Sequence, residues 1–312
     1  MALGYDGKLY ILAFDHRGSF QKKMFGIEGD PTSEETDTIA DAKHLIYEGM
    51  VRATETSDVP ADTLGVLVDE QFGAPHDIPA DAKKSGLKLA MPVEKSGQDT
   101  FDFEYGDDFG AHIEKFDPEF SKVLVRYNPD GDTAVNRDQL EKLKRLADWL
   151  HGNGRLFLHE LLVPATDEQL ESVGGDTDRY DAELRPELMR RAIEEHQDFG
   201  VETDIWKIEG VDKQDDARML VEQARKGDGR SGVVCVLLGR GASDDKVDHW
   251  LREVAPVDGF VGFAIGRSIW WDALRGFLDQ KHDRDAAIQQ VADNYLRFID
   301  VYDSAERGAS VS

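Results

Sequence analysis

Cysteine is almost absent from this chain of 312 residues, which contains only Cys235, within the apolar run Val233–Leu238. No disulfide can therefore form within the chain, and the composition fits a reducing compartment. The sequence also lacks an apolar stretch of transmembrane length, and its start has no basic segment followed by a long apolar run. These absences predict a cytoplasmic protein that does not associate with membranes.

Positive charge is also scarce. Asp and Glu number 63 against 37 Lys and Arg, which gives a net charge of −26. A surface of this sign repels phosphate backbones, so nucleic acid is not an expected partner. The sequence contains no dinucleotide fingerprint, no Walker loop and no zinc-ligand spacing.

Linkers rich in Pro, Gly or Ser are missing too, so the sequence predicts one domain over residues 1–312, with a C-terminal helix at about 283–303. Helical patterns alternate with apolar runs, and the clearest are Arg137–His151 and Pro186–Phe199. This alternation predicts parallel strands, and the number of strands favours an α/β fold of the closed (β/α)8 type, the TIM barrel. The eight predicted strands are Leu9–Phe14, Thr63–Val68, Leu87–Met91, Lys122–Tyr127, Leu156–Val163, Asp204–Ile208, Gly232–Leu238 and Phe260–Ile265.

Charged side chains gather where these strands end, which is the face of such a barrel that carries catalytic residues. Strand six contains Lys207, and period-two alternation places it on the face opposite Trp206 and Ile208. If those two residues pack against helices, Lys207 points into the barrel. A partly desolvated amine near another cation can attack a ketone as the free base. The alternative is a strand lysine that only pairs with Glu209.

Glu160 shares its face of strand five with Leu156, Leu158 and Leu162, so its carboxylate needs a partner. Beside Lys207 it is a candidate general acid and base, with a pKa expected to rise toward neutrality in this apolar setting. The alternative is an ion pair that stabilises the barrel.

Lys122 and Arg126 share one face of strand four. One can assist Lys207 and the other can hold an anionic substrate, although Lys122 can equally be a surface residue before the strand begins. Asp15 and Asp69 end strands one and two, and each is a candidate for proton transfer or sugar binding or, alternatively, a helix cap. The remaining candidates for substrate binding at the strand ends are His16, Arg17, Glu94 and Glu209.

The last two strands both end in glycine and arginine. Barrel enzymes often bind phosphate at these two positions, where glycines let backbone N–H groups approach the oxygens. The candidate phosphate-binding residues are Gly239, Arg240, Gly241, Gly266 and Arg267. Their alternative role is ordinary turn formation.

These residues resemble the class I aldolases related to tagatose-1,6-bisphosphate aldolase. The chain is closer still to the aldolase-like domain fused behind the sugar kinase of bacterial inositol catabolism. The resemblance is carried by long matching segments at Leu9–Phe25 and Ala264–Leu274, and by shorter ones at Val68–Gly73, Val93–Gly97, Lys122–Tyr127, Glu160 and Trp206–Glu209.

The resemblance implies a (β/α)8 barrel in which Lys207 forms the Schiff base, Glu160 is the acid and base, and Lys122 and Asp15 support them. It implies that no cofactor is needed, because the iminium ion accepts the electron pair of the carbon–carbon bond that breaks. The implied substrate is a phosphorylated sugar such as 2-deoxy-5-keto-gluconate 6-phosphate, cleaved to dihydroxyacetone phosphate and malonate semialdehyde, and a homo-oligomer is expected. His16 and the Gly239–Gly241 segment differ from the tagatose enzymes, so bisphosphate specificity is not implied.

Two other functions remain open at this point. One is a metal-dependent sugar-phosphate isomerase or lyase that uses Asp69, Glu70, His76 and Glu160 as ligands. The other is a barrel that binds a phosphosugar without turnover.

Overall fold

The computed structural model describes residues 2–310 and contains eight parallel strands in one closed barrel, in the order β1-β2-β3-β4-β5-β6-β7-β8. This confirms the (β/α)8 barrel. Met1, Val311 and Ser312, which the single-domain prediction includes, lie outside the described residues. The strands are β1 (Leu9–Ala13), β2 (Leu64–Leu67), β3 (Lys88–Pro92), β4 (Phe120–Arg126), β5 (Leu156–Leu162), β6 (Ile205–Glu209), β7 (Val234–Leu238) and β8 (Phe260–Ile265), all within two residues of the predicted bounds.

Helices cover the outside of the barrel. The α-helices are α1 (Gly18–Phe20), α2 (Ser33–Thr56), α3 (Glu70–Gly73), α4 (Ile78–Lys84), α5 (Phe109–Phe116), α6 (Thr133–Gly152), α7 (Asp167–Ser172), α8 (Thr177–Arg179), α9 (Arg185–Phe199), α10 (Gln214–Ala224), α11 (Asp244–Val254), α12 (Arg267–Leu278) and α13 (Arg284–Ser310). Two π-helical segments, Gln21–Phe25 and Tyr180–Leu184, and three short 3-10 turns, Ala61–Thr63, Ala74–His76 and Gly106–Asp108, complete the elements. No helix in residues 2–310 is long and apolar enough to cross a membrane.

Local signals explain where the two clearest predicted helices begin and end. The side chain of Asp132 accepts the backbone N–H groups of Ala134 and Val135 at 2.8 and 3.0 Å, which caps α6 four residues before the predicted start. Helix α9 has a proline in its first turn and ends at Phe199, and the capping residue Gly200 has a φ of 86°, in the left-handed region that favours glycine.

Strand residues alternate between the interior of the barrel and the helical layer. Small and branched side chains, including Ile11, Ala90, Leu158, Ile205 and Val236, fill the interior below the strand ends. This packing closes the bottom and the middle of the barrel, so a polar cavity can form only near the carboxyl ends of the strands.

Helix α13 ties the last strand to the first. The Tyr295 hydroxyl donates to the Tyr10 carbonyl oxygen of β1 at 2.6 Å, and the Tyr302 hydroxyl donates to the Phe260 carbonyl oxygen of β8 at 2.9 Å. All four residues are buried. The C-terminal helix, predicted at 283–303 and observed at Arg284–Ser310, therefore supports the seam where the barrel closes.

Candidate active site

A cavity of about 320 Å³ opens at the carboxyl ends of the strands. Eight Lys or Arg residues line it against three carboxylates, although the whole chain carries a net charge of −26. The cations are Arg17, Lys23, Lys95, Lys122, Arg126, Lys207, Arg240 and Arg267, and the carboxylates are Asp15, Glu94 and Glu160. A concave site with this charge concentrates anionic ligands within an otherwise acidic protein.

Lys122 lies at the base of the cavity. Its Nζ donates to Asp15 Oδ2 and Glu94 Oε1, both at 2.8 Å, and forms an ion pair with Glu160 Oε2 at 2.9 Å. Burial lowers the pKa of Lys122, but the three carboxylates outweigh it and hold the pKa well above its usual value. Lys122 is therefore a permanent ammonium inside strand β4, and the alternative of a surface lysine before the strand is wrong.

Lys207 is the second buried lysine, and its Nζ lies 3.0 Å from Glu160 Oε2. The β5–β6 register places Glu160 directly beside Lys207. Within residues 2–310, Glu160 is the one acidic residue within ion-pair distance of Lys207, so this amine has fewer carboxylate partners than that of Lys122, although both side chains are buried. The same carboxylate oxygen of Glu160 thus contacts both lysines.

The two ammonium groups change the expected chemistry of Glu160. Burial raises the pKa of Glu160, but Lys122 and Lys207 outweigh it and lower the pKa below its usual value. The prediction of a raised pKa is wrong because it considered the apolar neighbours on β5 and not the cations on both adjacent strands. In this arrangement Glu160 is an ionised base.

Asp15 and Glu94 differ although both accept a hydrogen bond from Lys122. Burial raises the pKa of Asp15, but Lys122, His16 and Lys207 together outweigh it and the net shift is downward. For Glu94 burial dominates, and its pKa is raised despite Lys122 and Arg17. The buried Oε2 atom of Glu94 has no hydrogen-bond partner in the described part of the chain. Glu94 is therefore the carboxyl group of the cavity best suited to carry a proton.

Arg17 and His16 follow β1 at the cavity wall. Arg17 donates to the Glu94 carbonyl oxygen at 2.7 Å and to Glu104 Oε2 at 2.9 Å, which joins the loops after β1 and β3. Burial lowers the pKa of His16 to about 4, so its imidazole is neutral at neutral pH. Its ring packs edge-on against Trp270 with the centroids 5.7 Å apart.

The loops after β7 and β8 form the opposite wall. Arg267 donates to the Arg240 carbonyl oxygen at 3.1 Å, and in residues 2–310 no carboxylate lies within ion-pair distance of its guanidinium group. Gly241 has a φ of 70°, and a Cβ atom there would lie 2.5 Å from Arg267 Nη2. A Cβ atom on Gly266 would lie 2.3 Å from the Ala13 carbonyl oxygen. Gly266 thus allows the start of the β8 loop to approach the backbone at the end of β1, and the positive φ of Gly241 favours glycine in the β7 loop.

Arg126 and Gly239 also line the cavity, Arg126 at its exposed rim with a bond to the Gln98 carbonyl oxygen at 3.0 Å. Asp69 and Glu209 do not line it. Asp69 is fully buried, pairs with Lys43 and caps α3 through the Phe72 N–H at 2.9 Å. Glu209 accepts the Val163 N–H at 2.9 Å and faces arginines beside the β7 loop.

The proposed metal ligands are also separated from one another. Glu70 pairs with His112 and Lys115 at 2.6 and 2.7 Å, whereas His76 stacks on His44 with ring centroids 4.8 Å apart. With Asp69 held by Lys43 and Glu160 by Lys122 and Lys207, the four residues do not form one ligand set.

Sequence reasoning missed several cavity residues, among them Lys23, Lys95 and Ser96. Ser96 Oγ accepts the Gly18 N–H at 3.1 Å, and Glu104 Oε2 accepts the Ser96 N–H at 3.0 Å. Lys95 follows Glu94 at a strand end, which is a signal that could have drawn attention to it. Lys23 lies in a π-helical segment, ten residues after the end of β1, so a search restricted to the strand ends does not find it.

Comparison with known families gives a match over residues 5–306 to "Uncharacterized protein conserved in bacteria (DUF2090)". The chain belongs to this family. No curated protein matches it. DUF2090 membership agrees with a barrel that extends over almost the whole chain, because the matched residues include all eight strands.

Two solved structures are similar to this member of DUF2090. A fructose-bisphosphate aldolase from Plasmodium falciparum, solved with TRAP and a small-molecule inhibitor, has a TM-score of 0.64 and 16% identity, covering 97% of this chain and 92% of that one. The protein Cgl0159 from Corynebacterium glutamicum has a TM-score of 0.55 and 17% identity, covering 95% of this chain and 88% of that one. At these identities the similarity establishes the barrel fold.

Proposed function

We propose that the protein is a class I aldolase that cleaves a phosphorylated keto sugar or sugar acid through a Schiff base on Lys207. The observation that carries the proposal is the pairing of two buried lysines with one carboxylate. Both lysines line the cavity, but Lys122 pairs with three carboxylates, whereas in the described residues Lys207 pairs with Glu160 alone, at 3.0 Å. One lysine thus supplies a charge fixed by three carboxylates, and the other an amine with a single carboxylate partner that can take its proton.

In the proposed reaction Glu160 takes a proton from Lys207, and the neutral Nζ attacks the substrate ketone. The resulting carbinolamine loses water after its hydroxyl group accepts a proton from Glu160, which leaves an iminium ion. A carboxylate then removes the proton from the hydroxyl group beyond the iminium, the carbon–carbon bond breaks, and its electron pair forms an enamine as the aldehyde leaves. Protonation and hydrolysis of the enamine release the ketone product and free Lys207.

The proposed substrate has a phosphate group, because eight cations line the cavity and the Arg267 guanidinium lacks a carboxylate partner in the described residues. The resemblance to the inositol-catabolism domain favours 2-deoxy-5-keto-gluconate 6-phosphate, with dihydroxyacetone phosphate and malonate semialdehyde as products. The similarity of fold to a fructose-bisphosphate aldolase supports the reaction class. A cytoplasmic homo-oligomer without a cofactor remains the expected form.

The decisive experiment is reductive trapping. The protein is incubated with dihydroxyacetone phosphate and sodium borohydride, and the modified peptide is identified by mass spectrometry. We expect one adduct, on Lys207, with the mass of the reduced triose phosphate. Lys207→Met should give no adduct. The matched control is Lys95→Met, which removes another lysine of the same cavity and should leave labelling of Lys207 intact.

An adduct on a different lysine would assign the nucleophile elsewhere. Tight binding of the phosphosugar with neither an adduct nor turnover would instead support a non-catalytic phosphosugar-binding barrel. Turnover that chelation abolishes and that survives Lys207→Met would support a metal-dependent reaction.

A further inference from the structure

Arg240 lies two residues after the end of β7 and borders the cavity, yet its guanidinium group is paired with two carboxylates. Its Nη1 donates to Asp181 Oδ2 at 2.7 Å, and its Nε lies 3.1 Å from Glu209 Oε1. A guanidinium group engaged by two carboxylates is poorly available to a phosphate group. The sequence prediction of Arg240 as a phosphate ligand therefore does not describe what its side chain contacts.

The two carboxylates are themselves fixed. Glu209 is buried and accepts the Val163 N–H from the end of β5 at 2.9 Å. Arg185, also buried, lies 2.7 Å from Asp181 Oδ1 and 3.5 Å from Glu209 Oε1, and donates to the Gly210 carbonyl oxygen at 2.7 Å. The ends of β5 and β6 and the π-helical segment Tyr180–Leu184 thus form one rigid support for the Arg240 side chain.

The backbone of Arg240 has an unusual conformation next to this support. Its φ is 54°, a left-handed conformation that a non-glycine residue keeps only where its surroundings hold it. In this conformation its carbonyl oxygen accepts the bond from Arg267 Nη2 at 3.1 Å. The Arg267 guanidinium group then lies beside Gly241, whose φ of 70° is in the left-handed region that favours glycine.

We propose that Arg240 is a positioning residue, tethered by Asp181 and Glu209, which holds the β7 loop in its left-handed conformation and so aims Arg267 at the anionic group of the substrate. The inference rests on the part of the proposed function that places a phosphate group beside β7 and β8. It does not depend on covalent chemistry at Lys207. Arg240 acts through Arg267 and makes no contact with the substrate.

Binding of inorganic phosphate, measured by titration calorimetry on the full chain, tests this directly. Arg267→Ala and Arg240→Ala should each weaken phosphate binding by about tenfold to a hundredfold, the range for a charged hydrogen bond. The double variant should bind phosphate no more than about threefold more weakly than Arg267→Ala, because both changes remove one interaction. Losses that multiply in the double variant would show that Arg240 binds phosphate itself and would overturn the proposal.

Two further comparisons distinguish a role of Arg240 in holding the β7 loop from a direct attraction between its charge and phosphate. Arg240→Gly should retain more phosphate binding than Arg240→Ala, because glycine adopts the left-handed conformation without a tether. Glu209→Gln and Asp181→Asn should weaken phosphate binding, although each removes negative charge near the site. Equal losses in the glycine and alanine variants, or tighter binding after removal of either carboxylate, would contradict the proposal.

Arg218→Ala is the matched control, since Arg218 pairs with Asp215 on the exposed face of α10 and should leave phosphate binding unchanged. Folding of each variant is checked by its thermal midpoint and by borohydride trapping with dihydroxyacetone, which has no phosphate group. If no adduct can be trapped but the Arg240 and Arg267 variants lose phosphate affinity as expected, the result counts against the aldolase proposal alone. Wild-type protein that does not bind phosphate would overturn the positioning proposal.

Discussion

The two faces of strands β5 and β6 both bury polar side chains, but the inner face pairs charged groups whereas the outer face buries an imidazole without a hydrogen-bond partner in the described residues. On the inner face, Glu160 and Lys207 are charged and lie 3.0 Å apart. On the outer face, His159 stacks on Trp206 with ring centroids 4.6 Å apart, and neither of its buried ring nitrogens has a hydrogen-bond partner in the described residues. Consecutive residues of β5 therefore have different roles: Glu160 belongs to the cavity, and His159 packs the barrel against α9.

This contrast shows how burial decides the charge of each group. Burial lowers the pKa of His159 well below its usual value, and the nearby His196 adds to the effect. The inner face retains its charges because each cation has a carboxylate within 3.0 Å. We therefore expect changes on the inner face to alter activity and electrostatics, and changes on the outer face to alter mainly stability.

The largest expected effect is on activity at Lys207. Lys207→Met should lower kcat by about 10⁴-fold or more, as loss of a covalent nucleophile does in other enzymes. Its free energy of unfolding should change far less, because Glu160 keeps Lys122 as a partner at 2.9 Å. Steady-state kinetics and chemical denaturation of the same preparation check both statements. Residual activity above a few per cent would remove Lys207 from the mechanism.

Lys122→Met should be the most destabilising change on the inner face. It leaves Asp15, Glu94 and Glu160 close together without their shared cation, and breaking a buried ion pair costs about 3–5 kcal/mol. Urea denaturation at pH 7 measures the loss, which should shrink toward pH 4 as the carboxyl groups become protonated. If Lys122→Met and Lys207→Met are equally stable, the number of carboxylate partners of each lysine does not set its contribution to stability.

Acid should destabilise the protein through histidines on both faces. The pKa values of His16 and His196 are lowered from 6.5 to about 4 in the folded protein, mainly by burial. Between these pH values the unfolded chain binds more protons, so stability rises from pH 4 to 6.5 and gains nothing further from these groups above it. For fully buried His196 this amounts to at most roughly 3 kcal/mol.

Denaturation curves measured at several pH values give the slope of the free energy of unfolding against pH, and variants show how much of that slope each face contributes. His16→Gln should flatten the part that belongs to the cavity, and the effect should be smaller than for His196 because the His16 side chain is 29% exposed. His196→Gln should flatten the part that belongs to the outer face. A wild-type slope that neither variant changes would mean that these histidines do not govern the acid response.

The smallest predicted effect is a gain in stability. His159→Phe removes two buried nitrogens that lack partners and keeps a ring against Trp206, so unfolding should become harder by about 1 kcal/mol with kcat unchanged. The thermal midpoint and kinetics test this. His159→Leu, which avoids the larger ring, controls for overpacking. Destabilisation in both variants would indicate that the imidazole makes a polar interaction that its packing does not explain.

The fold was largely predictable because eight apolar runs and their period-two alternation define strands, and consecutive parallel strands tend to lie side by side. The same alternation placed Glu160 beside Lys207, since their strands are neighbours in the barrel. Burial and partners of Lys122 were left open because its own strand does not contain the three carboxylates that surround it.

Partners from distant helical segments were not predictable from strand patterns. Asp69 pairs with Lys43 of α2, and Arg240 pairs with Asp181 of a π-helical segment, so neither behaves as its strand-end position suggested. The lowered pKa of Glu160 was missed for a related reason, because it depends on cations of two other strands. Sequence periodicity predicts which way a side chain points but not which charge it meets there.

The seam between β1 and β8 also constrains how this protein is made. Tyr295 reaches back to Tyr10 across 285 residues of sequence, and α13 covers that junction. On a ribosome that adds 5–20 residues per second, β1 would wait roughly 10–50 seconds with one edge unpaired before β8 is synthesised. An exposed strand edge is a template for aggregation, so the nascent chain has reason to need chaperone protection until its final helices emerge.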